Sequence, residues 1–212
     1  MKLRNRLILI FISLTVFFLI ILNGRYLYAN VSYLVNKPTP LVTASKPSAQ
    51  IFIPPVKVAS GQKSLPNKAI LVVPKINVSM PIVFGINGNS ISSMYDGLNR
   101  GVVHYSLSPM PGTMGAAMIL GHSSDYIWKN NPYGAAFALL NKLKPGDTMF
   151  VEYSDGRRFN FKVNQSVIFN PLSVDSEIEL MQAAKVPSLI LVSCWPVGSV
   201  VKRIAVEAIA IK

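Results

Sequence analysis

The chain changes texture twice along its length. From Leu7 to Leu22, "LILIFISLTVFFLIIL", sixteen residues pass without a charge. At roughly 1.5 Å per residue such a helix is about 24 Å long, slightly short of a hydrocarbon core of roughly 30 Å. Asn23 and Gly24 extend it, Arg25 can snorkel, and Tyr26 and Tyr28 suit the interface. Lys2, Arg4 and Arg6 come first, which predicts a retained single-pass anchor with its N-terminus inside and the body outside. A cleaved signal peptide fits less well, because Leu27 is large where the "YLYAN" context wants a small residue. A core helix does not account for the basic flank at the extreme terminus.

Residues 30–68 lose all periodicity. Pro38, Pro40, Pro47, Pro54, Pro55 and Pro66 stand among Ser, Thr, Lys and Ala, the composition of an extended linker. From Ala69 the pattern becomes a series of short β-rich runs. "AILVVPKINVSMPIVFG" is broken by Pro74 and Pro81 into two strands or one kinked edge strand. "GVVHY" and "AAMILGHS" follow, then "TMFVEYS" and "RRFNFKVNQSVIFN" around a "DGR" hairpin turn, then "SLILVSC" and "RIAVEAIAI". Phe137, Leu140 and Leu143 predict a helix over Tyr133–Leu143, stopped by "KPGD"; "SEIELMQAAK" predicts a shorter one. Many short strands with one or two small helices imply a mostly antiparallel barrel or sandwich. The organisation is therefore a cytoplasmic start and anchor over 1–29, a Pro/Lys-rich linker over 30–68 and a folded domain over 69–212.

Charge changes this picture only by its location. The net charge of +12 divides into +4 on residues 1–29, +5 on residues 30–68 and +3 on the remainder. A nucleic-acid footprint would gather on a folded face, so no nucleic-acid partner is expected. A cationic tether suits anionic lipid or wall polymer. One cysteine excludes an internal disulfide and a multi-cysteine zinc site, and two histidines leave little for a histidine-based metal centre. No metal and no cofactor is expected; no acid cluster argues for calcium.

The candidate chemistry sits at strand ends. His122 closes "MILGH", Cys194 closes "LILVSC" and Arg203 opens "RIAVEAIA". Nucleophilic cysteine chemistry needs a base, an oxyanion stabiliser and a proton donor, and these three residues would supply them. The nine residues from Cys194 to Arg203 fit two adjacent antiparallel strands with the pair at the ends of their loop. The bland alternative is that Cys194 is a small buried residue, the commonest fate of a free cysteine.

"ILGHSS", "LVSCWP" and "KRIAVEA", in that order, resemble the sortase family of cysteine transpeptidases. "LVVPKINVSMPIV", "GVVHYSLSPMPGTMGAAMILGH" with its Pro111–Gly112 turn, and "FALLNKLKPGDTMFVEY" extend the resemblance across about residues 69–212. It implies a closed eight-stranded β-barrel. It further implies that Cys194 attacks the scissile carbonyl of an LPxTG-like sorting signal and forms a thioester. His122 would exchange protons with the departing and incoming amines, and Arg203 would stabilise the oxyanion and hold the substrate backbone. Implied partners are surface proteins bearing such signals and an amine from a cell-wall precursor or a pilin subunit, at the outer face of a cell membrane. The compact loop before Arg203 and the "GVVHY" run are closest to the class D and E types. Two positions depart from the family pattern: Ser193 stands where threonine commonly precedes the cysteine, and Ile190 where another threonine is frequent.

Other positions carry weaker expectations. Ser193, His104 and Trp195 are candidates for substrate binding, though His104 also reads as a hydrogen-bonded strand histidine and Trp195 as ordinary packing. Asp125 is a candidate to orient the imidazole, against a favoured reading as a solvent-facing loop acid. Tyr126 and Trp128 could line a cleft, and Glu207 reads as an outward-facing strand charge. "LPNKA" superficially resembles a sorting signal but lacks threonine at its fourth place and a hydrophobic tail after it, so it reads as linker. Two other classes compete. L,D-transpeptidases also use cysteine but carry an arginine two residues after it; a membrane-tethered, non-catalytic peptide-binding module would keep the barrel without turnover.

Overall fold

The computed structural model describes residues 3–22, 24–35, 65–125, 129–172 and 181–212. Eight strands close into one barrel: β1 (Ala69–Val73), β2 (Val78–Val83), β3 (Val102–His104), β4 (Ala116–Leu120), β5 (Thr148–Tyr153), β6 (Arg158–Phe169), β7 (Ser188–Trp195) and β8 (Lys202–Ile211). Their order around the barrel is β1-β2-β3-β4-β7-β8-β6-β5, so the expected closed, mostly β architecture is present. Six of the eight seams are antiparallel; β2–β3 and β4–β7 are parallel. The two prolines divide the first β-rich run unequally. Pro74 opens a 3-10 turn over Pro74–Ile76. Pro81 stays inside β2 opposite Ile70, where β3 has not yet joined the ladder at Ile82.

Alternation sorts the strand side chains into two layers. Leu71, Val73, Ile119, Val151, Phe161, Leu189, Leu191, Ile204 and Val206 fill the barrel interior. A second cluster forms on the outer face of β4, β7, β8 and β6: Ala116, Val167, Ile190, Val192 and Ala205, covered by Met181. That is why "SLILV" has no polar alternation. β7 is flanked on both edges and covered on both faces. Glu207 faces outward on β8 as expected, but it is buried rather than solvated. A bulge between Val163 and Gln165 turns two neighbouring amides toward it, and Asn164 and Gln165 each donate to Oε2 at 2.9 Å.

Helix predictions fare less well. Tyr133–Leu143 is not an α-helix but a chain of tight turns ending in a 3-10 turn over Leu140–Lys142. Its backbone bonds step by three, as in Ala136 N–H to Tyr133 O and Leu143 N–H to Leu140 O. The N–H of Phe137 is diverted to the carbonyl of His122 at 2.8 Å, which breaks any i→i−4 ladder. Conversely, α3 (Ile91–Leu98) went unread; its N-cap Ser90 accepts the Ser93 N–H, but eight residues give little periodicity to detect. Of the second expected helix, Met181 and Gln182 are helical and the stretch 173–180 lies outside the described residues.

At the N-terminus, α1 (Leu3–Leu22) is long and apolar enough to cross a membrane, and none of its apolar window is buried among the described residues. α2 (Gly24–Val35) continues helically through the first six positions of the expected linker, and its Tyr26, Ala29 and Tyr33 pack on the barrel core. Most of the linker, 36–64, lies outside the described residues. Leu65, within "LPNKA", also packs on the core.

Candidate active site

Cys194 and Arg203 face each other across the β7–β8 ladder, one rung before the strands part. β4 runs parallel to β7 on its other edge, with Leu120 beside Val192, so His122 emerges two residues further along the same edge toward Cys194. Counting by twos from Val192, Leu120 and Ala205, which belong to the outer-face cluster, brings Cys194, His122 and Arg203 to that same face. All three therefore lie at one end of the outer face that Ile190, Val192 and Ala205 share. The opposite phase, Gly121 and Ser193, points inward. A Cβ on Gly121 would lie 2.5 Å from the Phe137 ring, so only glycine lets the chain pass this close to the core.

Several hydrogen bonds hold this end together. Gly121 N–H donates to Val192 O at 3.1 Å, extending the β4–β7 seam by one residue. The buried Ser193 hydroxyl donates to Gly121 O at 2.8 Å. Ser193 thus fastens the cysteine strand to the residue before His122, a contact that threonine could also make. Across the mouth, Gly198 N–H of the β7–β8 loop donates to Ser124 Oγ at 3.1 Å, joining that loop to the one after His122. Gly198 has φ +85°, so this turn needs glycine.

Each of the three side chains has distinct surroundings. The Cys194 thiol is free and half-buried. His122 Nε2 is buried and has no hydrogen-bond partner among the described residues. Burial pushes the His122 pKa down; the Asp125 carboxylate raises it and Lys129 lowers it. The Tyr95 ring of α3 stands 6.1 Å from the imidazole, centroid to centroid. Arg203 is held by one nitrogen only: Nη1 donates to Val200 O at 2.8 Å and to Lys202 O at 3.0 Å. Its Nε and Nη2 hydrogens carry no hydrogen bond among the described residues, so a pre-aimed guanidinium keeps donors in hand.

The remaining sequence candidates divide clearly. His104 is 4% exposed; its Nε2 meets Pro109 O at 2.9 Å and Ser108 Oγ at 3.3 Å, and Phe84 lies 5.3 Å away. It stands beside Ile119, three residues before His122 on β4, and reads as the hydrogen-bonded strand histidine. Trp195 is half-buried against the core. Asp125 corrects its expectation: its side chain is 6% exposed, paired with Lys129 at 3.4 Å and bonded by Asn131 at 3.2 Å. Tyr126 and Trp128 lie outside the described residues. Asn131 escaped the sequence reading. Its only local signal is an Asx turn, Oδ1 accepting Tyr133 N–H, and its other bonds are tertiary. No group of three or more His, Cys, Asp or Glu residues suited to a metal occurs among the described residues. A cavity of about 390 Å³ lies behind this region, between α2 and residues such as Met80, Pro132 and Leu139; none of His122, Cys194 and Arg203 lines it.

Comparison with known proteins gives one consistent answer. The Sortase domain family model matches residues 71–210. Sortase D of Bacillus subtilis (strain 168) is 31% identical over 150 residues, covering 69% of this chain and 63% of its own. Sortase SrtE1 of Streptomyces coelicolor is 33% identical over 93 residues, covering 41% of this chain and 23% of its own. The chain thus spans less than two thirds of the length of either curated relative. Among solved structures, sortase C-1 from Actinomyces oris superposes with a TM-score of 0.55 at 26% identity, covering 68% of this chain and 73% of that one. Both curated relatives carry the class letters that the sequence most resembles.

Proposed function

The chain belongs to the sortase family, and from that premise we propose that it is a cysteine transpeptidase of C-terminal sorting signals of the LPxTG type. The observation that carries the proposal is the placement of Cys194, His122 and Arg203 at one end of the same outer face, Cys194 and Arg203 as direct ladder partners. The Cys194 thiolate, paired with a protonated His122, attacks the scissile carbonyl and forms the Sγ–C bond. Negative charge gathers on the carbonyl oxygen, where the uncommitted Nε and Nη2 hydrogens of Arg203 donate. Collapse breaks the C–N bond while His122 gives its proton to the departing amine. An incoming amine then attacks the thioester, His122 takes its proton, and the thiolate leaves. Wall precursor, pilin lysine and water are the acceptors this chemistry admits. The uncharged run of α1 from Leu7, preceded by Lys2, Arg4 and Arg6, supports a single-pass anchor, N-terminus inside and barrel outside.

The test is the full-length chain in detergent, incubated with LPxTG-like peptides and an amine. Mass spectrometry should detect a thioester adduct that is absent from Cys194→Ala, followed by the amine-joined product. A peptide that binds without any adduct across a broad library would replace the enzyme by a binding module.

A further inference from the structure

One side chain that the chemistry above leaves unused ties together the two segments that meet at His122. Asn131 is buried, and both of its amide N–H donors and its carbonyl oxygen are engaged. Oδ1 accepts Tyr133 N–H at 2.9 Å, while Nδ2 donates to Asp125 Oδ2 at 3.2 Å and to Asn99 Oδ1, at the C-terminal end of α3, at 3.0 Å. Six residues on, Phe137 N–H holds the His122 carbonyl. The segment 131–137 thus grips His122 by its backbone and Asp125 by its side chain.

Asp125 is an expensive group to bury, and a buried carboxylate persists only where it is paired and hydrogen-bonded. Lys129 pairs with it, but the lysine side chain is 48% exposed and long, so it fixes position poorly. The short, buried, threefold-bonded amide of Asn131 is the rigid partner. The charged and titratable groups gathered around the imidazole are Asp125 and Lys129 from its own loop, Tyr95 from α3, and Cys194 and Arg203 at the same end of β7 and β8. Among them Asp125 is the acid that favours the imidazolium, and Lys129, 5.8 Å from the Tyr95 ring centroid, opposes it.

We propose that Asn131 is a positioning residue that ties the loop after His122 to α3 and to the segment gripping the His122 carbonyl, and so holds the Asp125 carboxylate where it stabilises the positive charge of the imidazole during proton transfer. The proposal rests on the reading of His122 as the acid–base group.

The test follows the two histidines by NMR in the full-length chain in detergent, with labelled imidazoles. His104 serves as the internal reference for an intact barrel. In Asp125→Asn, which keeps the side-chain shape, the His122 titration moves to lower pH while that of His104 stays in place. In Asn131→Ala it moves the same way by less. Asn131→Ser keeps the turn through its hydroxyl but loses the reach to Asp125, and replaces Asn131→Ala if that variant loses the His104 signal. Turnover of an LPxTG-like peptide falls about tenfold in each single variant, as expected for a lost or misplaced charge beside an acid–base group. The Asp125→Asn/Asn131→Ala double variant falls no further than Asp125→Asn alone. An unmoved His122 titration in both single variants overturns the proposal, as does an Asn131→Ala loss that persists in full when Asp125 is already Asn. The titration requires no substrate, so a chain that cleaves no peptide still tests it separately from the transpeptidase reading.

Discussion

His104 and His122 end neighbouring strands, and burial lowers the pKa of both. β3 and β4 run antiparallel with His104 opposite Ile119, three residues before His122, so the two histidines are near neighbours in different settings. Nε2 of His104 meets the Pro109 carbonyl and the Ser108 hydroxyl, and the ring lies tilted against Phe84. Nε2 of His122 is buried without a partner among the described residues, on the cysteine's face and within the field of the Asp125 carboxylate. Burial alone thus says nothing about function. The polar capacity of His104 is met within the fold, whereas that of His122 Nε2 is not met by any described residue.

The largest expected effect breaks or upholds this contrast directly. His122→Ala should lower turnover by about 10²–10⁴-fold, the usual contribution of general acid–base catalysis. Arg203→Ala should cost about 10²–10³-fold as a lost oxyanion donor. His104→Ala should leave turnover near normal and cost about 1–3 kcal/mol of stability by orphaning the Pro109 carbonyl. For a chain of this size that is about 2–4 °C of Tm per kcal/mol. Steady-state kinetics and thermal melts of the same three variants decide it; normal rates in His122→Ala with loss in His104→Ala would exchange the two roles.

A smaller effect sharpens why only one of these regions is organised for chemistry. Ser193→Ala removes the hydroxyl that ties β7 to Gly121, at about 1 kcal/mol for one hydrogen bond. Turnover should drop more than this modest destabilisation implies, because the lost contact sets His122 against Cys194. Ser193→Thr should retain both. A melt and a kcat measurement on each variant would show whether the latch is positional or only structural.

The smallest effect concerns acid stability. Both histidines have folded-state pKa values below the ordinary 6.5. The unfolded chain therefore binds protons first as pH falls, so stability is fully present above about pH 6.5 and is lost as pH drops through the depressed folded values. Denaturant melts from pH 7.5 to 5 should show this slope. His104→Gln should flatten it without altering the pH profile of turnover; an unchanged slope would remove the burial argument for that residue.

Much of the molecule was legible in one dimension. Alternating or continuous apolar runs located all eight strands, because strand burial writes itself into neighbouring positions. The uncharged run from Leu7 to Leu22 marked α1. Cys194, His122 and Arg203 stood out because each ends or opens such a run, and their order matched a known family. Tertiary structure alone decided the rest. The Tyr133–Leu143 segment has helical spacing in its apolar residues, yet a single long-range bond from Phe137 to His122 O turns it into tight turns. Asp125 and Glu207 look like surface acids until Asn131, Asn164 and Gln165 arrive from other segments to satisfy them. A strand's two-residue repeat says which side chains share a face. Only barrel closure, with β4 set beside β7, says which face is the interior and which carries the three candidate residues.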